Sequence, residues 1–340
     1  MLSKEDSKIL KGYSILIMIW LHTFLYKNDV GSLQNFIFIG QTPLVTIIRN
    51  FCGICVFLYL FLGGYGLYIT YTNKKLQSFR RVFYLYLNYW IVFALMIPIG
   101  CIIRPELFPG NLSKFILNLI AWDYSYNTSW WFLFPYILII FTSGLLFKLL
   151  NKIGGWRLFA LTFFIYLITS YSISRYGDKF FFNNLLLYIP LLYFHLLNAF
   201  LTGAIFAKYD IFDYMNKQTR KISHIPHSNY VCITSIIVLI LFKGFVTTSI
   251  INIFVVCLFF ILINNLVQPI WLRNILYKLG EGSTNMWLVH VFICYYFMHD
   301  FTYSLKYPII VFLFVVLSSY IIHLVINTIY VRCKSLIKFV

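Results

Sequence analysis

Two side chains that could take part in chemistry lie on one face of the first apolar segment, Lys11 and His22. Their spacing is close to three helical turns, so both project from the same side, about 16 Å apart along the axis. A neutral imidazole can accept the proton of a hydroxyl that attacks an acyl group, or can itself attack the acyl donor, while Lys11 at the cytoplasmic rim binds an anionic group. The structural alternative makes Lys11 a membrane anchor and His22 a hydrogen-bonded histidine.

A second group of polar residues runs from Gly280 to His290 and has the sequence Gly-Glu-Gly-Ser-Thr-Asn-Met-Trp-Leu-Val-His. We expect its glycines to end one segment, and Ser283 or Thr284 to cap the next helix. The spacing of Ser283 and His290 then places both on one helix face. Ser283, Asn285 and His290 are secondary candidates for a site, and a structural role for His290, bonded to a neighbouring helix, is an equal alternative.

Trp130 and Trp131 begin an apolar run directly after the polar stretch that starts at Asp123. Aromatic side chains at that depth often anchor a helix at the membrane interface. The same rings, with hydroxyl groups and the carboxylate of Asp123 nearby, would also suit stacking on a sugar. Both interpretations stay open, and Asp123, Trp130 and Trp131 are the predicted acceptor-binding residues.

The other histidines give weaker signals. His195 and His323 lie inside apolar runs, where hydrogen bonding between helices is the favoured role. His224 and His227 flank a proline in a basic loop, and two histidines alone make a weak metal site. The spacing of Cys52-Gly53-Ile54-Cys55 resembles that of metal ligands, but no second ligand pair accompanies it. We therefore predict packing roles for these cysteines and no metal.

The elements that must position these residues are membrane helices. The 340-residue chain is 61% hydrophobic, 21% aromatic and 11% charged, which excludes a cytosolic enzyme, a disulfide scaffold and a disordered tail. A helix of roughly 20 apolar residues spans a bilayer. We predict an all-α integral membrane protein of about ten transmembrane helices, forming one polytopic domain over residues 1–340. The apolar runs lie near residues 9–26, 51–72, 82–101, 130–150, 156–174, 185–207, 230–243, 249–267, 284–298 and 307–330.

The net charge of +17 is best explained by topology. With the N-terminus in the cytoplasm, 19 of the 27 Lys and Arg residues fall on the inner side, as the positive-inside rule expects, so both termini are predicted to be cytoplasmic. The basic residues on the outer side are Lys27, Arg49, Arg104, Lys114, Arg175, Lys179, Lys243 and Lys306. Nucleic acid is therefore not an expected partner. All ten carboxylates fall in loops or at helix ends, which disfavours an ion-coupled transporter but leaves facilitated transport open.

These motifs, taken in order, resemble those of acyltransferase family 3, the polytopic bacterial membrane acyltransferases that modify surface polysaccharides. Lys11 and His22 reproduce the spacing of the family's first-helix Arg and His, with Lys in the Arg position. The segment Phe57–Tyr65 is similar to its second-helix phrase Phe-Phe-x-x-Ser-Gly-Phe/Tyr. Residues Ser129–Leu133 resemble its Trp-Phe-Leu helix start, and Leu279–His290 its late Leu-Gly-x-x-Ser-x-x-x-Tyr-Leu-x-His stretch. The resemblance covers essentially the whole chain.

The resemblance implies a ten-helix fold with His22 as the catalytic histidine and Lys11 as its basic partner. It also implies that Arg80 and Arg81, which precede the third helix, suit the phosphates of coenzyme A. Lys lacks the planar, bidentate geometry of Arg at position 11. Two further positions depart from the pattern, since Gly63 stands where the family often has Ser and Trp287 replaces the usual Tyr.

The activity implied is that of an O-acetyltransferase in the bacterial cytoplasmic membrane. It would use cytoplasmic acetyl-CoA as co-substrate, without a metal, and acetylate a hydroxyl of a surface or capsular polysaccharide or of its lipid-linked precursor. Membrane lipid is a further expected partner. The first alternative is a non-catalytic transporter of a glycan or lipid whose histidines line a passage. The second is an unrelated membrane acyltransferase that acts on lipid or protein.

Overall fold

The computed structural model describes residues 2–222 and 228–337, so His224 and His227 lie outside the described residues. The helices are α1 (Lys4–Thr23), α2 (Lys27–Ser32), α3 (Leu44–Cys52), α4 (Cys55–Thr72), α5 (Ser78–Ile103), α6 (Leu112–Leu119), α7 (Leu133–Ile153), α8 (Gly155–Tyr176), α9 (Leu185–Lys208), α10 (Ile211–Ile222), α11 (Ser228–Phe245), α12 (Asn252–Asn265), α13 (Ile270–Val291), α14 (His299–Ser304) and α15 (Pro308–Leu336). Short 3₁₀ segments cover Thr128–Phe132 and Ser249–Ile251, and π-helical turns cover Gly177–Phe181 and Phe292–Phe297. Strands β1 (Phe38–Ile39) and β2 (Thr42–Pro43) pair antiparallel.

Within the described part of the chain, six helical stretches are long and apolar enough to cross a membrane. They are Leu44–Thr72, Ser78–Ile103, Thr128–Ile153, Gly155–Phe181, Leu185–Lys208 and Pro308–Leu336, and two shorter apolar helices cover Asn229–Phe245 and Ser249–Asn265. Each of the ten predicted runs overlaps a helix, which supports the all-α, multi-pass membrane architecture. The helices α1 and α13 fall outside both groups, since charged and polar residues lower the hydropathy of each. Ten crossings therefore stay a prediction.

One predicted boundary is wrong, because α13 runs without a break through the glycine-rich stretch. Ser283 and Thr284 lie inside this helix instead of capping a new one, and the Ser283 hydroxyl donates to the carbonyl of Gly280 at 2.9 Å. The glycines serve packing. A methyl group added at Gly280 would lie 1.9 Å from the carbonyl oxygen of Lys8, so the absent side chain lets α1 approach the backbone of α13.

The helices α1 and α13 run parallel and in register. Arg273 of α13 pairs with Glu5 near the start of α1, and His290 lies beside His22 near its end. A methyl group added at Gly12 would lie 2.1 Å from the carbonyl oxygen of Leu276, so close backbone contact is repeated along the pair. We call the C-terminal end of α1, which carries His22, its outer end.

The loop that precedes α7 is hydrogen-bonded to α13 near His290. The side-chain amide of Asn127 and the indole N–H of Trp130 both donate to the carbonyl of Leu288, at 3.1 and 3.0 Å. In return, the indole of Trp287 donates to the carbonyl of Ser129 at 3.1 Å. These three bonds fix the segment that begins the Trp-Phe-Leu phrase against the helix that carries His290.

Candidate active site

His22 and His290 form a direct side-chain pair between α1 and α13. The Nδ1 atom of His22 lies 2.8 Å from Nε2 of His290, and the ring centroids are 4.9 Å apart. His290 is completely buried, whereas His22 is partly exposed. The structure thus joins the two histidines that sequence patterns had singled out in separate segments, 268 positions apart.

The hydrogen bonds of this pair define which nitrogen of each ring carries a proton. His290 Nδ1 lies 2.8 Å from the carbonyl oxygen of Trp287, and a carbonyl oxygen only accepts, so His290 is protonated at Nδ1. With both rings neutral, Nε2 of His290 accepts the Nδ1–H of His22. The remaining nitrogen, Nε2 of His22, then has a free lone pair and can act as a base or a nucleophile.

Tyrosine hydroxyl groups fix the backbone at the outer end of α1. The hydroxyl of Tyr295 donates to the carbonyl of His22, and that of Tyr303 donates to the carbonyl of Thr23 at 2.6 Å. The last carbonyls of a helix have no partners within it and need such donors. These bonds hold the position of His22 relative to the π-helical turn and α14.

Lys11 lines an internal cavity of about 110 Å³ that lies between α1, α4, α5, α7 and α13. Its lining residues are Lys11, Met18, Tyr59, Gly63, Leu85, Phe132, Tyr136, Ser283, Thr284 and Trp287. Met18 precedes His22 by about one turn of α1, and Trp287 precedes His290 by about one turn of α13. The cavity therefore leads from Lys11 toward the histidine pair, and Lys11 lies in its wall rather than at an exposed rim.

A wider cleft of about 260 Å³ adjoins this cavity. Leu85 and Thr284 line both, and the other cleft residues are Tyr84, Asn88, Glu281, Asn285, His323, Asn327 and Tyr330. Lys334 and Arg80 lie over the ring of Tyr84, at 5.0 and 5.7 Å from its centroid. Cations and aromatic rings thus border the cleft at the end of the bundle where α5 begins and α15 ends.

The second arginine of the predicted pair lies close to the cavity lysine. Arg81 donates to the hydroxyl of Thr70 at 3.0 Å, and both Arg81 and Lys8 are near enough to repel the charge of Lys11. Grouping positive charges is unfavourable unless an anion balances them. Lys8 is already paired with Glu281, so Lys11 and Arg81 are the members of this cluster that are electrostatically suited to a phosphate group.

The predicted acceptor-binding residues have different environments. Trp130 is 1% exposed and packs against Tyr89 and Phe292, so its ring offers no open face for stacking, whereas Trp131 is partly exposed. Both carboxylate oxygens of Asp123 accept hydrogen bonds within its own loop, including the backbone N–H groups of residues 124 and 125 at 2.6 and 3.0 Å. Of the two tryptophans, Trp131 is the one with accessible surface, and sugar binding stays a prediction for all three residues.

The other candidates connect helices away from the pair. The side-chain amide of Asn285 lies 3.0 Å from Nδ1 of His323, and Asn285 also accepts a hydrogen bond from Asn88. His195 lies 3.2 Å from the hydroxyl of Thr169. Hydrogen bonding between helices, predicted for His195 and His323, is confirmed. Cys52 and Cys55 are buried and packed in the core, as expected.

Two tyrosines in the cavity wall escaped the sequence patterns. The hydroxyl of Tyr136 lies 2.9 Å from the place where a side-chain carbon at Gly63 would be, and the buried hydroxyl of Tyr59 lies beside Ser283. The missing side chain at Gly63 therefore makes room for a phenol from α7. The departure from the family's Ser was the one available signal, but the sequence does not show which residue fills the space.

Among the described residues, no group of three or more His, Cys, Asp or Glu side chains could hold a metal ion.

Comparison with known proteins identifies the family. No curated protein and no solved structure matches the chain. A family model described as an acyltransferase domain, that of acyltransferase family 3, matches residues 6–327 and so includes both histidines and all the residues that line the cavity at Lys11. The chain therefore belongs to acyltransferase family 3, as its motifs predicted.

Proposed function

We propose that this membrane acyltransferase is an O-acetyltransferase. It moves an acetyl group from cytoplasmic acetyl-CoA to a hydroxyl of a surface or capsular polysaccharide, or of its lipid-linked precursor. The observation that carries the proposal is the free Nε2 of His22, held by His290 near the end of a cavity whose other end meets a cluster of cations. Family membership supports acyl transfer, and the site supports this particular donor and route.

The donor enters through the cleft between α5, α13 and α15. Its phosphates contact Lys11, Arg80 and Arg81, whose charges are grouped beside the cleft and the cavity. The pantetheine arm passes from the cleft into the cavity beside Leu85 and Thr284, which line both. It brings the thioester toward Met18 and His22. This narrow route excludes bulk water, which would otherwise hydrolyse the thioester.

His22 acts by one of two balanced routes. As a base, its Nε2 takes the proton of the acceptor hydroxyl while the oxygen attacks the thioester carbonyl; the C–S bond breaks, and the imidazolium returns the proton to the CoA thiolate. As a nucleophile, Nε2 takes up the acetyl group while the C–S bond breaks and the CoA thiolate leaves. The acceptor hydroxyl then attacks the acetyl-imidazolium, the C–N bond breaks, and the hydroxyl proton passes to the thiolate. In both routes, His290 holds the proton of His22 on Nδ1 and so keeps Nε2 available.

The orientation in the membrane follows from the charge distribution. We place both termini in the cytoplasm of a bacterial cell and the chain across the cytoplasmic membrane as one polytopic domain of about ten spans. His22 then lies toward the outer face, where an acceptor can approach past Trp131. Surrounding lipid completes the barrier between donor and acceptor compartments.

The test compares His22→Ala with His195→Ala in the purified protein and in a producing strain. Isotope-labelled acetyl-CoA reports transfer in vitro, and NMR of the isolated polysaccharide reports O-acetyl groups. We expect His22→Ala to lose at least about 100-fold in transfer rate, the usual contribution of a general base, with normal membrane insertion. His195→Ala, which changes a partly buried histidine outside the site, should keep its activity per folded molecule.

Two results would contradict the proposal. Unchanged O-acetylation in the His22→Ala strain would remove His22 from the mechanism. A wild-type protein that binds no coenzyme A and labels no acceptor would fit the alternative of a transporter.

A further inference from the structure

A basic pocket lies beyond the outer end of α1, between α2, the β1–β2 hairpin and α3. We call it the outer basic pocket; it has a volume of about 440 Å³ and is lined by Lys27, Val30, Gly31, Leu33, Asn35, Phe38, Pro43, Thr46 and Arg49. Lys27 is exposed, and the two cations have no acidic partner among the described residues. The guanidinium of Arg49 donates to the carbonyl of Leu25 at 3.1 Å and to Asn50 at 2.8 Å, so some of its five N–H donors remain available.

Asp29, the carboxylate of α2, contacts His299. Asp29 is largely buried, and its Oδ1 lies 3.3 Å from Nε2 of His299. Burial alone would lower the pKa of His299, but its hydrogen bonds to Asp300 and Asp29 raise the pKa above its ordinary value. Asp29 thus contacts His299 and does not line the outer basic pocket, which keeps its positive character.

An apolar groove continues from this pocket along α1. Its upper part, of about 310 Å³, shares Asn35 with the outer basic pocket and is otherwise almost entirely apolar. Its lower part, of about 250 Å³, is joined to the upper part through Trp20 and Ile48 and reaches Tyr13 and Phe259. Beside the upper part, Phe36 and Ile37 are 76% and 62% exposed, as expected for side chains that face lipid.

We propose that the outer basic pocket and the apolar groove together bind a membrane lipid that carries a phosphate, and that the acceptor is a glycan joined to lipid through that phosphate. This inference rests on the proposed function and narrows it, because the acceptor is then a lipid-linked precursor rather than a finished polysaccharide. The bound molecule is a single long-chain lipid whose anionic head lies between Lys27 and Arg49.

Charge and shape support this occupant over a free anion or a neutral lipid. A Lys–Arg pair is suited to phosphate, and the groove removes a hydrocarbon chain from water beside it. The pocket is also close to the proposed site, since Arg49 contacts the carbonyl of Leu25, which lies three residues beyond His22 and just after the end of α1. A sugar attached to the bound phosphate therefore starts near the outer end of α1.

The test measures lipid binding directly, without acetyl transfer. The full chain, in phosphatidylcholine nanodiscs, is titrated with a radiolabelled long-chain prenyl phosphate. We expect saturable binding that weakens about 30-fold in the double variant Lys27→Gln/Arg49→Gln, since each surface cation contributes about 1 kcal/mol toward an anionic lipid. Arg49→Lys should bind within about threefold of wild type because it keeps the charge. The matched control Arg175→Gln/Lys179→Gln changes two outer basic residues that do not line the pocket and should bind like wild type.

Competitors identify which part of the lipid is recognised. The corresponding prenol, which lacks phosphate, should bind the wild-type protein as weakly as the phosphate lipid binds the double variant. Displacement by phosphatidylglycerol at equal mole fraction would show a general anionic-lipid surface, and displacement by inorganic phosphate would show a free-anion site. Either result, or an unchanged affinity in the double variant, overturns the inference.

Acetyl transfer is measured separately, so the two proposals fail in different ways. A protein that acetylates a soluble polysaccharide fragment but binds no prenyl phosphate keeps the proposed function and loses this inference. A protein that binds the lipid but transfers no acetyl group to any acceptor loses the proposed function.

Discussion

Two pairs of parallel helices in this molecule are packed in the same way, with glycines at the contact between the helices. Between α1 and α13, side-chain carbons added at Gly12 and Gly280 would lie 2.1 and 1.9 Å from backbone oxygens of the partner helix. Between α4 and α9, the corresponding distances at Gly64 and Gly203 are 1.8 and 1.9 Å. Small residues allow backbones to approach in this way in membrane proteins.

The pairs differ in what the close approach brings together. Between α4 and α9 the close approach brings rings together, such as Phe61 with Phe206 and Phe57 with His195, and no side-chain hydrogen bond joins these two fully described helices. Between α1 and α13 the close approach of the helices brings His22 to His290 and Lys8 to Glu281. Close packing alone therefore does not mark a site; polar groups placed at such a contact do, because they are costly in a membrane protein.

The largest expected effect that tests this difference is on His290. His290→Ala removes the acceptor of the His22 Nδ1–H, so the ring of His22 can rotate or change tautomer, and we expect the acetyl-transfer rate to fall about 100-fold. In His290→Gln a side-chain oxygen can still accept that proton, so at least about a tenth of the wild-type rate should remain. Steady-state kinetics with labelled acetyl-CoA measures both variants.

A structural role for His290 would give a different pattern. Both variants would then lose activity in proportion to their loss of folded protein, and Gln would not rescue the rate per folded molecule. His195→Gln on α9 serves as the control, since this histidine lies outside the site, and it should change neither the rate nor the Michaelis constants.

The two helix pairs also show which features of the site could be predicted from the sequence. His22 was identifiable because an ionisable residue inside an apolar run stands out, and the ten runs were identifiable because hydropathy is a local property. The contact between His22 and His290 could not be predicted, because helical periodicity describes one segment and says nothing about its neighbour in space. The helices α1 and α13, which carry the pair, are also not among the stretches that are long and apolar enough to cross a membrane.

The errors have a physical cause in common. Gly280 and Ser283 look like a helix end because glycine and serine are frequent at helix boundaries, but here glycine is needed for contact with Lys8 and the helix continues. Trp130 looks like an interfacial anchor, but its indole donates to Leu288 and its ring is buried. In both cases, tertiary packing outweighs the local preference on which the prediction depends.

The second prediction compares one glycine from each pair. Gly280→Ala and Gly203→Ala both force a methyl group against a backbone oxygen, and we expect each to lower the free energy of unfolding by about 1–3 kcal/mol. Gly280→Ala also separates α1 from α13 and lengthens the contact between the histidines, so its activity per folded molecule should fall about tenfold or more. Gly203→Ala should keep wild-type activity per folded molecule.

Melting curves in detergent, together with transfer rates normalised to folded protein, measure both quantities. Equal activity in the two variants would mean that the distance between α1 and α13 does not limit the reaction. The contact between α1 and α13 would then be no more important for activity than the contact between α4 and α9.

The third prediction concerns Lys11, which α1 contributes to the cavity wall opposite Tyr59 of α4. Lys11→Ala should raise the KM for acetyl-CoA about tenfold and leave the KM for the acceptor unchanged, because the lost charge contacts only the donor phosphates. Lys11→Arg should retain activity, since it keeps the charge and matches the family pattern. Tyr59→Phe keeps the ring and should change the KM for acetyl-CoA less than Lys11→Ala does. An unaltered KM in Lys11→Ala would refute the phosphate contact.

The smallest expected effect is on the ion pair between Lys8 and Glu281. Their atoms are 2.6 Å apart, but the side chains are 37% and 45% exposed, so water and salt screen the attraction. A double-mutant cycle with Lys8→Met and Glu281→Gln should give a coupling free energy below about 1 kcal/mol, decreasing at high salt. The more exposed pair Lys217 and Asp213 on α10, 3.8 Å apart, is the control and should give no measurable coupling. A coupling above about 2 kcal/mol for Lys8 and Glu281 would mean that ions, rather than the glycine contacts, hold α1 against α13, and the likeness to α4 and α9 would no longer hold.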